Sequence, residues 1–168
     1  MQILDRVRAY ALMTGLALAL VAPLAAQAAA PTAGDPEAAD PRIAQQTLER
    51  WIDRAVEHYT AGEFADAETL LATVMRSADA TERLKALAAF NRGAALLQLD
   101  RFADAVESFD AAERRNFPYP AQLHLARGIA FEQMGQPDKA AYEYSSALAA
   151  DPSDLAVRRR IDAFFHKR

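Results

Sequence analysis

The chain has 168 residues, 52% hydrophobic and 25% charged, with a formal net charge of -4 and no cysteine. That length builds one domain with a real core and excludes two sizeable ones. The acid excess removes the charge signature of a nucleic-acid binder, and the missing cysteines remove disulfides, metal thiolates and a thiol nucleophile.

Arg6 and Arg8 precede an uncharged apolar run from Ala11 to Ala22, which Pro23 breaks, and Ala26-Gln27-Ala28 then supplies a small-x-small cleavage site. These features predict a cleavable signal peptide over residues 1–28, with the mature chain starting at Ala29. Because no charge falls between Ala9 and Gly34, an uncleaved inner-membrane anchor is the alternative. No cysteine follows the apolar run, so no lipoprotein site exists there. An exported, cysteine-free, helical chain points to the bacterial periplasm, without stable membrane insertion after cleavage. The leader carries +1 of the total charge, leaving -5 to the remainder.

Residues 29–44 hold Pro31, Pro36 and Pro41 with Gly34, Asp35, Glu37 and Asp40 and show no apolar periodicity, which predicts a disordered spacer. Helical signals begin near Gln45, where Ile52, Ala55, Val56 and Tyr59 recur at the spacing of one buried face. Gly62 ends that helix, and Phe64 opens a partner running to about Ser77. Asp79-Ala80-Thr81-Glu82 has the form of a capping box with Asp79 as the cap, so Glu82 to Lys85 add a turn to the next helix. That helix runs to about Leu99, and Arg101 to about Arg115 returns. A rigid turn at Asn116-Phe117-Pro118-Tyr119-Pro120 leads to a third pair, Gln122 to Met134 and Asp138 to Ala150. Asp151-Pro152 reads as cap and first-turn proline of a last helix over residues 153–167, with Val157, Ile161, Phe164 and Phe165 along one side.

Two stretches superpose at an offset of 35 residues: Gly93 falls on Gly128, Leu96 on Phe131, Phe102 on Pro137, Ala105 on Ala140, Phe109 on Tyr144 and Ala112 on Ala147. A further copy carries Trp51, Ala55, Gly62, Phe64, Ala67 and Leu71. The repeats span residues 48–81, 86–119 and 121–154, within a domain of residues 45–168. This pattern resembles the tetratricopeptide repeat (TPR) family, in which small residues let two helices of a hairpin approach and aromatics fill the space between hairpins. Departures occur at His58, Val74 and Asp79 in the first copy, and at Asp100 in the second, where a turn glycine is usual. The resemblance implies an all-α fold, a short right-handed solenoid of three helix hairpins closed by a C-terminal capping helix.

The family binds peptides or partner segments in a concave groove lined by the first helix of each hairpin. By position, the resemblance places Ile52, Val56, Tyr59, Phe90, Ala94, Leu97, Leu125, Ile129 and Glu132 in that groove, with Asn91, Gln98 and Gln133 beside them. Chaperone-binding members clamp a C-terminal carboxylate with lysine, arginine and asparagine. Here only Asn91 fits, because Ile52, Val56, Gln122 and Ala126 stand at the other places, so that mode is not expected.

Nothing in the chain points to catalysis. His58, His124 and His166 are too far apart for a helical ligand pair, and His58 and His124 take places where large packing residues belong, so they read as core histidines with no metal. No phosphate loop or nucleophile elbow occurs, and no cofactor is expected. Arg54, Arg92 and Arg127 recur at one repeat position; a ligand ladder is conceivable, and stems laid on the hairpin with heads paired to acids is the preferred account. The expectation is therefore a non-enzymatic adaptor binding a protein or peptide segment in the cell envelope, with a monomer expected. The alternatives are self-association through Phe164 and Phe165, and a secretion-type chaperone.

Overall fold

A computed structural model describes residues 41–166. Among them are seven helices and no strand: α1 (Pro41–Thr60), α2 (Phe64–Arg76), α3 (Glu82–Gln98), α4 (Phe102–Glu113), α5 (Pro120–Gln133), α6 (Pro137–Ala150) and α7 (Leu155–Phe165). They form three antiparallel hairpins, α1/α2, α3/α4 and α5/α6, with α7 against the last. Each helix packs on its neighbours in sequence, and α1 also meets α3 as α3 meets α5, so the first helices share one side of the stack. None of these helices is long and apolar enough to cross a membrane. The expected signal peptide and most of the expected spacer, residues 1–40, lie outside the described residues.

Three apolar clusters follow the hairpins. One joins α1, α2 and α3 through Ile52, Leu71, Val74 and Leu84. The middle one gathers Phe90, Leu96, Phe109 and Phe117, with Phe90 stacked on Phe117 at 4.3 Å between ring centres. A third packs Leu125 and Tyr144 against Val157, Ile161 and Phe164 of α7. Two glycines set how closely the helices of a hairpin approach. A Cβ added at Gly93 would sit 2.4 Å from the Phe109 ring, and one at Gly128 2.6 Å from the Tyr144 ring. Larger residues there would push apart an interior that packs at crystal density.

The helix ends correct several expectations. The spacer does not reach residue 44: α1 starts at Pro41, where a proline's missing amide proton costs nothing in a first turn. The cap of α3 is Thr81, not Asp79; its hydroxyl accepts from Leu84 N at 3.2 Å. The last helix starts at Leu155 rather than residue 153, because Asp154 takes the capping role, its Oδ1 accepting from Val157 N at 3.1 Å. Asp151 and Pro152 instead make the preceding turn, with Asp151 Oδ1 accepting from Ser153. On α7, Val157, Ile161 and Phe164 are buried, while Phe165 is 46% exposed.

Candidate partner-binding groove

The inner side of the stack is built by α1, α3 and α5, and the residues expected there divide into two groups. Ile52, Val56, Phe90, Asn91, Ala94 and Leu125 are buried. Side chains this deep hold helix to helix and present little to a partner. Tyr59, Leu97, Gln98, Ile129, Glu132 and Gln133 retain exposure.

Of the exposed group, four share a cavity of about 270 Å³ between α3 and α5, where Leu97, Gln98, Ile129 and Gln133 surround the small side chains of Ala94 and Ala126. Asp100 and Phe102, from the turn between α3 and α4, complete the lining. Repeat position places Ala126 at the groove's clamp, whereas Asp100 and Phe102 are outside the residues expected there. The signal available for Asp100 was its replacement of the expected turn glycine.

Tyr59 lies beside this cavity on α1. It meets the Phe64 ring edge-on at 5.1 Å and packs with Val56 and Ala94. Burial pushes its hydroxyl up to about 12, against the opposing pull of a hydrogen bond with Gln98.

Glu132 does not line this cavity. Its Oε2 accepts from the Tyr144 hydroxyl at 2.6 Å and from Arg160 at 2.9 Å, so it ties α5 to α6 and α7. Burial, with this acid added, raises the Tyr144 hydroxyl well above the ordinary tyrosine value.

The recurring arginines lie at the seams between hairpins. Arg92 donates from Nε to Glu68 Oε1 on α2 at 2.7 Å and from Nη1 to Ser108 on α4 at 3.0 Å. Arg127 reaches Asp110 at 2.7 Å and Glu113 at 2.6 Å, both on α4, and its Nε lies 3.1 Å from Glu143 Oε1 on α6. That last contact has ion-pair distance without hydrogen-bond alignment. Burial alone would lower the Arg127 value; hydrogen bonds with Glu113 and Asp110 and the negative charge of Glu143 outweigh it. Each arginine therefore bridges its own hairpin to the preceding one, a wider role than pairing within a hairpin. Arg54, with no hairpin before it among the described residues, is exposed.

The histidines correct the expectation of a core role. His124 is partly buried and shares Glu143 with Arg127, its Nδ1 2.9 Å from Oε2. His58 lies at the α1–α2 turn against Glu63. With Asp66 these two bring potential ligand atoms within 4.8 Å of one another, all on exposed or half-exposed side chains. The hydrogen bond between His58 and Glu63 accounts for the contact.

With this geometry in hand, the comparisons with known proteins are specific. A profile described as tetratricopeptide repeat matches residues 52–120 and 95–154. No curated protein gives a significant sequence match. Solved structures do match, among them the first TPR of Spaghetti (RPAP3) bound to the HSP90 peptide SRMEEVD, with a TM-score of 0.63 at 19% identity. The likeness covers 73% of this chain and 94% of that one, and it concerns the fold.

Proposed function

The chain belongs to the tetratricopeptide repeat family, and from that premise we propose a non-enzymatic adaptor of the bacterial periplasm that holds a partner protein's segment in its groove and so assembles or regulates an envelope complex. The observation that carries this reading is the cavity between α3 and α5, which opens where first helices line the stack and combines apolar walls with the exposed side chains of Gln98 and Gln133. Its volume suits one or two side chains of an extended segment, below the usual range for a small-molecule site. The solved structure named above has a peptide bound, which supports a peptide segment as the kind of occupant here. Export rests on the charged start, apolar run and cleavage site of residues 1–28.

Affinity capture from envelope fractions tests the adaptor, comparing wild type with Leu97→Glu, Ile129→Glu. These positions are partly buried at the edges of the core clusters, so the melting point is measured beside the capture; substitutions at Phe90 or Leu125 would break the core itself. Loss of a captured partner with the melting point retained is the expected result. Capture that is equal for both proteins would reject the groove. Mass spectrometry of the periplasmic fraction should find the mature chain starting at Ala29, and an intact leader in washed membranes would reject export with cleavage.

A second reading has one observation in its favour: Phe165 and Leu155 of α7 are 46% and 65% exposed. Self-association through them predicts a full-length dimer that Leu155→Ser, Phe165→Ser converts to a folded monomer, as light scattering would show.

A further inference from the structure

We propose, resting on the groove reading above, that the cavity between α3 and α5 selects an apolar side chain with a lysine or arginine beside it, and rejects acidic segments and free C-terminal carboxylates. The small side chains of Ala94 and Ala126 leave depth between the helices, and Leu97 and Ile129 make the walls apolar. An aliphatic or aromatic anchor fills such a space. Gln98 and Gln133 stand exposed; Gln133 and the part of the Gln98 amide not used by Tyr59 offer donors and acceptors, which suits the backbone of an extended segment.

Charge then sets the neighbour of the anchor. Asp100 is the one ionisable group among the lining residues, and no lysine or arginine is among them. The nearby arginines are engaged elsewhere: Arg92 and Arg127 hold acids at the hairpin seams, and Arg101 pairs with Asp104. A carboxylate entering the cavity would meet only Asp100, and like charges brought together oppose binding.

The backbone at Asp100 points the same way. It has φ +56, and the equivalent turns of the other two hairpins use Gly62 at φ +82 and Gly135 at φ +66. A side chain in that region is strained relative to glycine. Of the three matched turns, the strained one alone contributes to the cavity, and it contributes the carboxylate. Asn116, at φ +54, is also strained but lies in a different loop, outside this lining. Residues 29–40 make a poor occupant from within the chain, since they carry Asp35, Glu37 and Asp40 and no base.

A random peptide library with blocked C-termini and a second with free C-termini, selected on the purified full-length protein, test the proposal. Selected peptides should pair an apolar residue with lysine or arginine, and Ile129→Lys should abolish their binding. Asp100→Asn should weaken it by about twofold to fivefold, the range for a partly exposed ion pair. Asp100→Gly should weaken binding equally while raising the melting temperature, a split that a merely structural role for Asp100 would not give. Enrichment of acidic or free-carboxylate peptides blocked by Ile129→Lys would overturn the charge preference and leave the groove reading standing. Failure to select any peptide sensitive to Ile129→Lys would overturn both.

Discussion

Two seams join the three hairpins, and the same repeat position supplies an arginine to each, yet they are built to different degrees. At the first, Arg92 meets one carboxylate, Glu68, and the Ser108 hydroxyl, with 24% of its side chain exposed. At the second, Arg127 is 9% exposed and serves Asp110, Glu113 and Glu143, the last of which also holds His124. Ser108 and Glu143 stand at matching places 35 residues apart. The repeat fixes where the guanidinium projects. What it is worth depends on how many acids surround it and how much water is excluded.

The most severe way to break that contrast is Arg127→Met. It leaves Glu143, buried at 6% exposure, without its arginine and with only His124 beside it. Stranding one partner of a buried pair costs about 3–5 kcal/mol. Urea unfolding followed by circular dichroism should show that loss, and the triple variant Arg127→Met, Glu143→Leu, His124→Leu should recover much of it. Arg92→Met should cost less, about 1–2 kcal/mol, since it removes charged hydrogen bonds from a wetter site. Equal losses at the two seams would remove the distinction drawn between them.

Acid should act mainly on the second seam. The hydrogen bond from Arg127 holds the Glu113 carboxyl below its ordinary 4.5. A depressed folded value contributes stability above the ordinary value, and that contribution is lost as pH falls through the depressed one. Wild type should therefore lose stability faster below pH 4.5 than Arg127→Met does. Melting curves between pH 7 and pH 3 check the difference, which will be small because Glu113 is half exposed.

Much of this architecture was legible in the residues. The 35-residue offset aligned Gly93 with Gly128 and Phe109 with Tyr144, and within each hairpin it is the glycine and the aromatic that make the close approach, Gly93 to Phe109 and Gly128 to Tyr144. Side-chain size alone carried that information. Cap positions were harder, because Asp79 and Asp151 have the right chemistry two and three residues before Thr81 and Asp154, which take the role. The cavity was legible only in part. Position places Leu97, Gln98, Ile129 and Gln133 on the inner side, but whether a first-helix residue is open or covered depends on which loops and helices reach it. Phe117 stacks over Phe90 from such a loop, and Glu132 is drawn away by an arginine 28 residues further on. Neither contact leaves a trace in the repeat spacing.

The smallest expected effect sharpens the comparison most. Arg54 occupies the position of Arg92 and Arg127 but lies in the first hairpin, exposed and with no ion pair of its own among the described residues. Its own-hairpin neighbour at the place of Ser108 and Glu143 is Leu70, which offers no acceptor. Arg54→Met should then change stability by no more than about 0.5 kcal/mol, as for an ordinary surface substitution. Placing an acid at Leu70 tests the same point from the other side: Leu70→Glu alone loses apolar contact, and its cost should fall when Arg54 is present to pair with it. A double-mutant cycle between Arg54→Met and Leu70→Glu reads that coupling directly. Zero coupling would mean that the position alone does not aim the guanidinium at its own second helix, and that the preceding hairpin is needed to orient it.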